Sequence, residues 1–241
     1  MPGDCEHEGH AGKDRQRCRG VEMGTSRRSI GWGQRRVWRG SLTMVQSTDG
    51  PGGGTGLPDI VMLHGICAGA WVFPRAFIEP LLDQGYRVHT LSYRGHGESE
   101  GRDRINHWRL SDYVSDVKSI LEVLPEQAIV IGHSLGTAIA QILIRDNYPM
   151  AGVVLMSPVP PRGLSSISLR MLWSDPIAYQ QLAIALTVGV HNVSERVGAR
   201  LLFSKTEITD EVRWFFSQCC DESPWLALDL QRMPRIAPPN Y

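Results

Sequence analysis

Short apolar runs and amphipathic helical patterns alternate along the chain from residue 59 onwards. Four runs are rich in β-branched and large apolar side chains and are predicted to be buried strands: residues 59–64, 86–92, 128–131 and 152–156. Three helical patterns separate them: residues 71–84, 111–124 and 137–145. Ser111 is the predicted N-cap of the second helix. Apolar strands that alternate with helices predict an α/β fold with a mostly parallel, doubly wound sheet.

The pattern changes after residue 158. Pro160 and Pro161 open a stretch without a convincing strand but with four helical runs: residues 164–173, 176–188, 194–202 and 209–219. We interpret residues 159–235 as a helical cap over the strand ends of a core at residues 57–158. Residues 236–241 are expected to begin a C-terminal part of the core, which leaves the predicted sheet incomplete.

The first 56 residues differ in composition from the rest of the chain. They contain 13 of the 25 glycines, many arginines and little apolar periodicity, which predicts a disordered segment. The alternative at residues 35–46 is one or two edge strands. Four side chains of this segment are of zinc-binding types, but their spacing matches no standard site and no metal is expected: Cys5, His7, His10 and Cys18.

Composition excludes several classes of partner and location. The 25 basic and 25 acidic residues balance, so no nucleic-acid partner is expected. The longest apolar stretch, at residues 182–190, is far shorter than the roughly 20 residues of a membrane span. Five cysteines form no regular disulfide framework and no secretory signal is present, so we expect a cytoplasmic protein.

The candidate catalytic motifs lie where the predicted strands end. Residues 132–136 read GHSLG, a G-x-S-x-G nucleophile elbow in which Gly132 and Gly136 allow a sharp turn from strand to helix. The apex residue, Ser134, is the predicted nucleophile. His64 and Gly65 follow the first strand, and the run RGHGES at residues 94–99 follows the second.

These three motifs, in this order, resemble the α/β-hydrolase fold family, specifically its lysophospholipase-like or esterase-like members with a helical cap. The resemblance spans residues 59–236. It implies a serine hydrolase that acts without a cofactor on a carboxylic ester, such as a lysophospholipid or an acylglycerol. It also implies that Ser134 attacks the acyl carbon while the backbone N–H groups of Ile66 and Leu135 bind the oxyanion. The family often has an acidic residue where this chain has Ser92, which is expected to change hydrogen bonding in the 94–99 loop.

The partners of the serine are not evident in the sequence. Family order places an acid and then a histidine after the nucleophile, yet the one histidine after Ser134 is His191, which falls in the predicted cap. His64 and His96 are expected to order loops, and His133 to pack at the sheet face.

For two acids and one thiol, a structural interpretation stands beside the functional one. Asp146 is expected to be a solvated residue near a helix end, and Asp175 an N-cap. Cys67 is expected to be a buried structural thiol, with a reactive thiol as the alternative.

Three interpretations of function therefore stay open at this stage. The first is a carboxylic-ester hydrolase with Ser134 as nucleophile. The second is a non-catalytic ligand-binding or partner-binding homologue, and the third is a non-functional gene fragment. The run at residues 152–156 is predicted to be an apolar sheet edge, which the cap, the N-terminal segment or another polypeptide has to cover. The exact substrate and the oligomeric state do not follow from the sequence.

Overall fold

The computed structural model describes residues 34–38, 44–49, 56–203 and 207–233. The strands are β1 (Gln34–Trp38), β2 (Met44–Asp49), β3 (Ile60–Leu63), β4 (Arg87–Ser92), β5 (Ile129–His133) and β6 (Gly152–Met156). The helices are α1 (Arg75–Asp83), α2 (Leu110–Leu121), α3 (Leu135–Arg145), α4 (Ser165–Ser174), α5 (Pro176–Thr187), α6 (Glu195–Phe203), α7 (Asp210–Gln218) and α8 (Pro224–Gln231). Short 3-10 helices lie at Ala70–Val72, Arg102–His107 and Val190–Asn192.

One six-stranded sheet with the order β1-β2-β4-β3-β5-β6 organises these elements. Strands β3 to β6 are parallel to their neighbours within that group, and β1 and β2 form an antiparallel extension on β4. In this register Leu63 lies opposite both Leu91 and Gly132, and His133 lies opposite Met156. The predicted mostly parallel α/β sheet is confirmed.

The N-terminal strands correct part of the predicted disorder. β1 and β2 lie within residues 35–46 and their flanks, where edge strands were the alternative. β2 is an internal strand, because it pairs with β1 on one side and β4 on the other. Backbone pairing on both sides supports a strand even where apolar periodicity is weak. The zinc-type group at Cys5, His7, His10 and Cys18 lies outside the described residues.

The four predicted strands and the first three helical regions are present, but β6 is half-buried or exposed rather than buried, and the helix starts differ from those predicted. The predicted helix at residues 71–84 is split, since Pro74 has extended backbone angles and separates the turn Ala70–Val72 from α1. The prediction that Ser111 caps α2 is wrong. Arg109 is the N-cap residue, and its backbone N–H donates to the Asp112 carboxylate at 2.8 Å.

Apolar side chains cover the sheet on both faces. Val61 and Leu63 of β3 point into the larger core, beside Tyr113 and Val117 of α2. Ile60 and Met62 point to the opposite face, as the two-residue period of a strand requires. The larger core also holds residues from α3 and α8, and α1 flanks the smaller one.

Helix α8 was missed by the sequence analysis. Its Leu226 is fully buried in the larger core, and its Asp229 pairs with the Arg109 side chain and accepts from the Leu110 backbone N–H at 3.1 Å. α8 therefore packs against α2, although it falls within the region predicted as cap. None of the helices in the described ranges has the length and apolar character needed to cross a bilayer.

Candidate active site

Ser134 lies at a sharp turn between β5 and α3. Its backbone angles are φ 51° and ψ −112°, in a region that side chains other than glycine rarely adopt. The Ser134 N–H donates to Met156 O of β6 at 3.0 Å, and Ser134 O accepts from the Thr137 N–H at 2.9 Å. Strain of this kind costs on the order of 1–3 kcal/mol and persists only where surrounding structure enforces it. The geometry is that of the predicted nucleophile elbow.

The two glycines of the motif are required by close packing. A Cβ atom on Gly132 would lie 2.5 Å from Gly136 O, and a Cβ atom on Gly136 would overlap with Leu63 O of β3. Neither position has room for a larger residue. The first helical turn of α3 is thus pressed against the ends of β3 and β5.

The loop at residues 65–68, which follows β3, runs directly beside the serine. A Cβ atom on Gly65 would lie 3.2 Å from Ser134 Cβ, and the Gly136 N–H donates to His64 O at 3.1 Å. The fold therefore brings Ile66, in this loop, and Leu135, after the serine, to the same strand ends as Ser134. Their role as oxyanion donors stays a prediction.

His64 is a structural histidine. It is fully buried, its Nε2 accepts from the Tyr93 N–H at 3.2 Å, and its Nδ1–H donates to Gly65 O at 2.7 Å. Burial, assisted by the nearby His96, lowers the pKa of His64 to about 3. Because both ring nitrogens are occupied and the ring is neutral, His64 orders the 65–68 loop and is not available as a general base.

His96 is also occupied on both ring nitrogens. Its Nδ1–H donates to Arg94 O at 3.1 Å and its Nε2–H donates to a Glu222 carboxylate oxygen at 3.1 Å. Burial disfavours the charged ring, but the Glu222 carboxylate raises the pKa of His96 above its ordinary value. A protonated ring that donates twice cannot accept a proton from the serine.

The remaining two candidate histidines do not reach the serine hydroxyl either. His133 is half-buried, its ring lies beside Gly65, and burial lowers its pKa. His191 is exposed in the short helix Val190–Asn192. In residues 56–203 and 207–233, no histidine side chain hydrogen-bonds the Ser134 hydroxyl.

Comparison with known proteins decides the family. The sequence profile of the alpha/beta hydrolase fold matches residues 58–234, which is more than half of the chain. The chain belongs to the alpha/beta hydrolase fold family. It is 37% identical over 131 residues to the AB hydrolase superfamily protein YfhM of Bacillus subtilis, covering 52% of this chain and 46% of that protein.

One further curated protein and one solved structure are also similar to this alpha/beta hydrolase. The pimeloyl-[acyl-carrier protein] methyl ester esterase of Nitrosospira multiformis is 31% identical over 107 residues, covering 43% of this chain and 39% of that protein. The crystal structure of epoxide hydrolase A from Mycobacterium thermoresistibile has a TM-score of 0.55 at 21% identity, covering 86% of this chain and 65% of that one. The chain thus spans less than half the length of the two curated relatives, and the structural likeness shows the fold.

Ser92, where the family often has an acidic residue, takes part in hydrogen bonds at the start of the 94–99 loop. Ser92 Oγ accepts from the Ala70 N–H at 2.9 Å, and Ser99 Oγ donates to Ser92 O at 2.7 Å. The Arg94 Nε–H donates to both carboxylate oxygens of the buried Asp116 at 3.0 Å. These bonds hold the RGHGES run of the alpha/beta hydrolase in place beside the 65–68 loop.

The acids weighed from sequence have the helix-terminal contacts that were expected. Asp175 accepts from the Ala178 N–H at 3.0 Å, as an N-cap does. Asp146 is exposed at the end of α3 and pairs with Arg145 at 2.7 Å and Lys118 at 3.2 Å. Neither of these ion pairs or caps involves Ser134.

The Cys67 side chain, beside the site, is a buried thiol. Cys67 is buried, and burial, with Glu222 nearby, raises the pKa of its thiol well above its ordinary value, so the neutral structural thiol is favoured. Within the described ranges, no cluster of three or more histidine, cysteine, aspartate or glutamate side chains is arranged to hold a metal ion.

Glu222 is a residue of the site that sequence reasoning missed. It lies between α7 and α8, is 3% exposed, and accepts from the Cys67 N–H at 3.2 Å. In sequence it sits in the polar run Asp-Glu-Ser-Pro, which is typical of an exposed loop. No local pattern indicates that its carboxylate is buried among residues far away in the chain.

Proposed function

We propose that this alpha/beta hydrolase acts on a carboxylic ester, with Ser134 as its nucleophile. The observation that carries the proposal is the strained backbone of Ser134, held at the end of β5 beside the 65–68 loop. The serine oxygen attacks the acyl carbon and forms an acyl-enzyme while the alcohol leaves, and water then releases the acid. The backbone N–H groups of Ile66 and Leu135 stabilise the oxyanion.

The chemical type of the nucleophile distinguishes an ester substrate from an epoxide substrate in this fold. A carboxylate nucleophile that opens an epoxide forms an ester, which water cleaves. A serine hydroxyl that opened an epoxide would form an ether, which is not hydrolysed under such conditions. With an acyl group the same serine forms an ester instead, so Ser134 supports the activity named for the Nitrosospira esterase rather than that named for the epoxide hydrolase.

Within the ester class, we propose an acyl ester of the lysophospholipid or acylglycerol kind. Helices α4 and α5, in the region interpreted as a cap, expose large apolar side chains such as Leu169, Trp173 and Ile177. A cavity of about 580 Å³ between α4, α5 and α8 is lined in part by Leu169 and Leu172. The lining of this cavity does not include Ser134, Ile66 or Leu135. The exposed apolar side chains therefore support an acyl-chain substrate, and they equally suit the packing of helices against one another.

We also propose what covers the exposed edge of the sheet and where the protein is located. β6 pairs on one side with β5, and Val154 is 46% exposed, so we propose that another polypeptide segment or partner covers this edge. The three cysteines of the described part, Cys67, Cys219 and Cys220, are free, which fits a cytoplasmic location.

A non-catalytic ligand-binding role is the second candidate function. It is favoured by the occupied ring nitrogens of His64 and His96, which leave the serine without a base among the described residues. Removing a member of a serine-protease triad costs a factor of about 10⁶ in rate and leaves about 10³–10⁴ over water. The binding role predicts thermal stabilisation by acyl ligands without turnover.

A fluorophosphonate probe distinguishes the two roles. The full chain is expected to be labelled at Ser134, and the Ser134→Ala variant to lose the label. Ser157→Ala is the matched control, because Ser157 is an exposed serine that also has a positive φ, at the end of the neighbouring strand β6. Labelling at Ser157, or no labelling of folded protein, would contradict the ester-hydrolase proposal.

A further inference from the structure

The Glu222 carboxylate collects hydrogen bonds from four separate parts of the chain. It accepts from the Cys67 N–H at 3.2 Å, the His96 ring at 3.1 Å, the Tyr113 hydroxyl at 3.0 Å and its neighbour Ser223 N–H at 3.0 Å. These donors come from the loop after β3, the loop after β4, helix α2 and the start of α8. One buried side chain therefore joins the α7–α8 connection to the strand ends.

Charge explains why this arrangement is stable. Glu222 and His96 are both fully shielded from solvent at the side chain. An isolated buried carboxylate is strongly disfavoured, and here the protonated His96 ring and three further donors compensate for the lost hydration. Burial alone would favour the neutral acid, but the His96 charge and these bonds lower the pKa of Glu222. The carboxylate is thus a strong, fixed acceptor for the Cys67 N–H.

The α7–α8 connection makes further contacts to Cys67 and Ala68. Cys67 O accepts from the Cys220 N–H at 2.9 Å, and the Cys220 thiol lies 3.7 Å from Ala68 O. Cys67 has φ 57°, a left-handed conformation that is uncommon outside glycine. Contacts from residues 220 and 222 therefore hold a strained residue that directly follows Ile66.

We propose that Glu222 is a positioning residue for the site, which acts by holding the Ile66 N–H in place beside Ser134. The inference rests on the proposed function for its chemical consequence, since Ile66 is there an oxyanion donor. Glu222 touches the Cys67 N–H, one peptide further along, and the 65–68 loop passes against Ser134. Movement of Cys67 displaces the peptide that carries the Ile66 N–H.

The test compares three variants of the full chain. Glu222→Gln keeps the shape and one acceptor oxygen without the charge, and Glu222→Met removes the acceptor. Asp229→Asn is the control, because it removes a carboxylate that anchors α8 to Arg109 and Leu110 without contacting the 65–68 loop. The first readout is hydrogen exchange at the Cys67 and Ala68 amides. The second is the rate of fluorophosphonate labelling at Ser134, corrected for the folded fraction.

Exchange at the two amides is expected to accelerate in the order wild type, Glu222→Gln, Glu222→Met, with Asp229→Asn equal to wild type. Labelling is expected to slow in the same order, by roughly 10- to 100-fold for Glu222→Met, because small misplacements of catalytic groups cost about that much. Loss of stability with an unchanged labelling rate per folded molecule would show a purely structural role and overturn the proposal.

Two outcomes keep this inference separate from the proposed function. If wild type is not labelled, the ester-hydrolase proposal fails, while amide exchange still tests whether Glu222 holds the loop. If Glu222→Met does not fold, Tyr113→Phe removes a different donor to the same carboxylate and is expected to accelerate exchange at Cys67 by less than Glu222→Gln does. Unchanged exchange in both Tyr113→Phe and Glu222→Gln would overturn the proposal.

Discussion

Single residues of the elbow are constrained by backbone contact rather than by side-chain chemistry. Ser134 has a positive φ, and there is no space for a side chain at Gly132, which meets the first turn of α3, or at Gly136, which meets β3. This explains why a five-residue pattern in the sequence was enough to locate the turn. The motif alone indicates the geometry of the turn, because the sharp turn brings residues 132 and 136 close together.

Replacing Gly132 tests that constraint. Gly132→Ala is expected to lower the free energy of unfolding by about 1–3 kcal/mol or more, since the new methyl group would lie 2.5 Å from Gly136 O. Gly152→Ala is the matched control, because among the described residues a Cβ atom on this strand glycine would meet Ile129 Cγ1 alone, at 3.7 Å. Urea denaturation measures both. Equal stability of the two variants would contradict the described packing.

Glu222 marks the limit of prediction at the residue scale. Its partners in the loops after β3 and β4 lie 155 and 126 positions away in sequence. Contacts between residues so far apart leave no periodic pattern in the local sequence. From the sequence, the polar residue before Ser223 and Pro224 is therefore indistinguishable from a residue of a surface loop. The roles of His64 and His96 in ordering loops were predictable only through the family resemblance.

Elements were predictable where a pattern repeats over several residues. β6 has the predicted bounds, and β3, β4 and β5 differ by one or two residues at their ends. Helix starts depend on one or two hydrogen bonds, which explains the error at Ser111, where the Asp112 carboxylate bonds to Arg109 instead. α8 was missed because it is short and begins at Pro224, within the polar run Asp-Glu-Ser-Pro.

Burial of α8 against α2 predicts a clear contrast within one helix. Leu226→Ala is expected to cost about 2–5 kcal/mol of unfolding free energy, because Leu226 is 0% exposed in the larger core. Leu228→Ala, which truncates a side chain that is 57% exposed two positions later, is expected to cost less than about 0.5 kcal/mol. Thermal or urea unfolding compares them, and similar losses in both variants would contradict the docking of α8.

At the scale of the whole molecule, the parallel sheet brings the candidate site residues together. The loops after β3, β4 and β5 begin at the same end of adjacent strands, which brings His64, Arg94 and Ser134 into one region although the chain separates them widely. The alternation of strands and helices predicts parallel strands with their carboxyl ends at one edge, so the meeting of these three loops was predictable although the strand order was not. A general base was not predictable, and no histidine ring in residues 56–203 and 207–233 hydrogen-bonds the Ser134 hydroxyl.

Ser134 is proposed to form an ester with an acyl substrate, and trapping that ester is the decisive experiment. The full chain is mixed with p-nitrophenyl butyrate, quenched in acid and mapped by peptide mass spectrometry. We expect up to one butyryl group per chain on the peptide that contains Ser134, with a burst of up to one equivalent of p-nitrophenolate before any turnover, and no such adduct in Ser134→Ala. Butyrylation at Cys67 or Ser157 instead, or an adduct that persists in Ser134→Ala, would contradict the proposal.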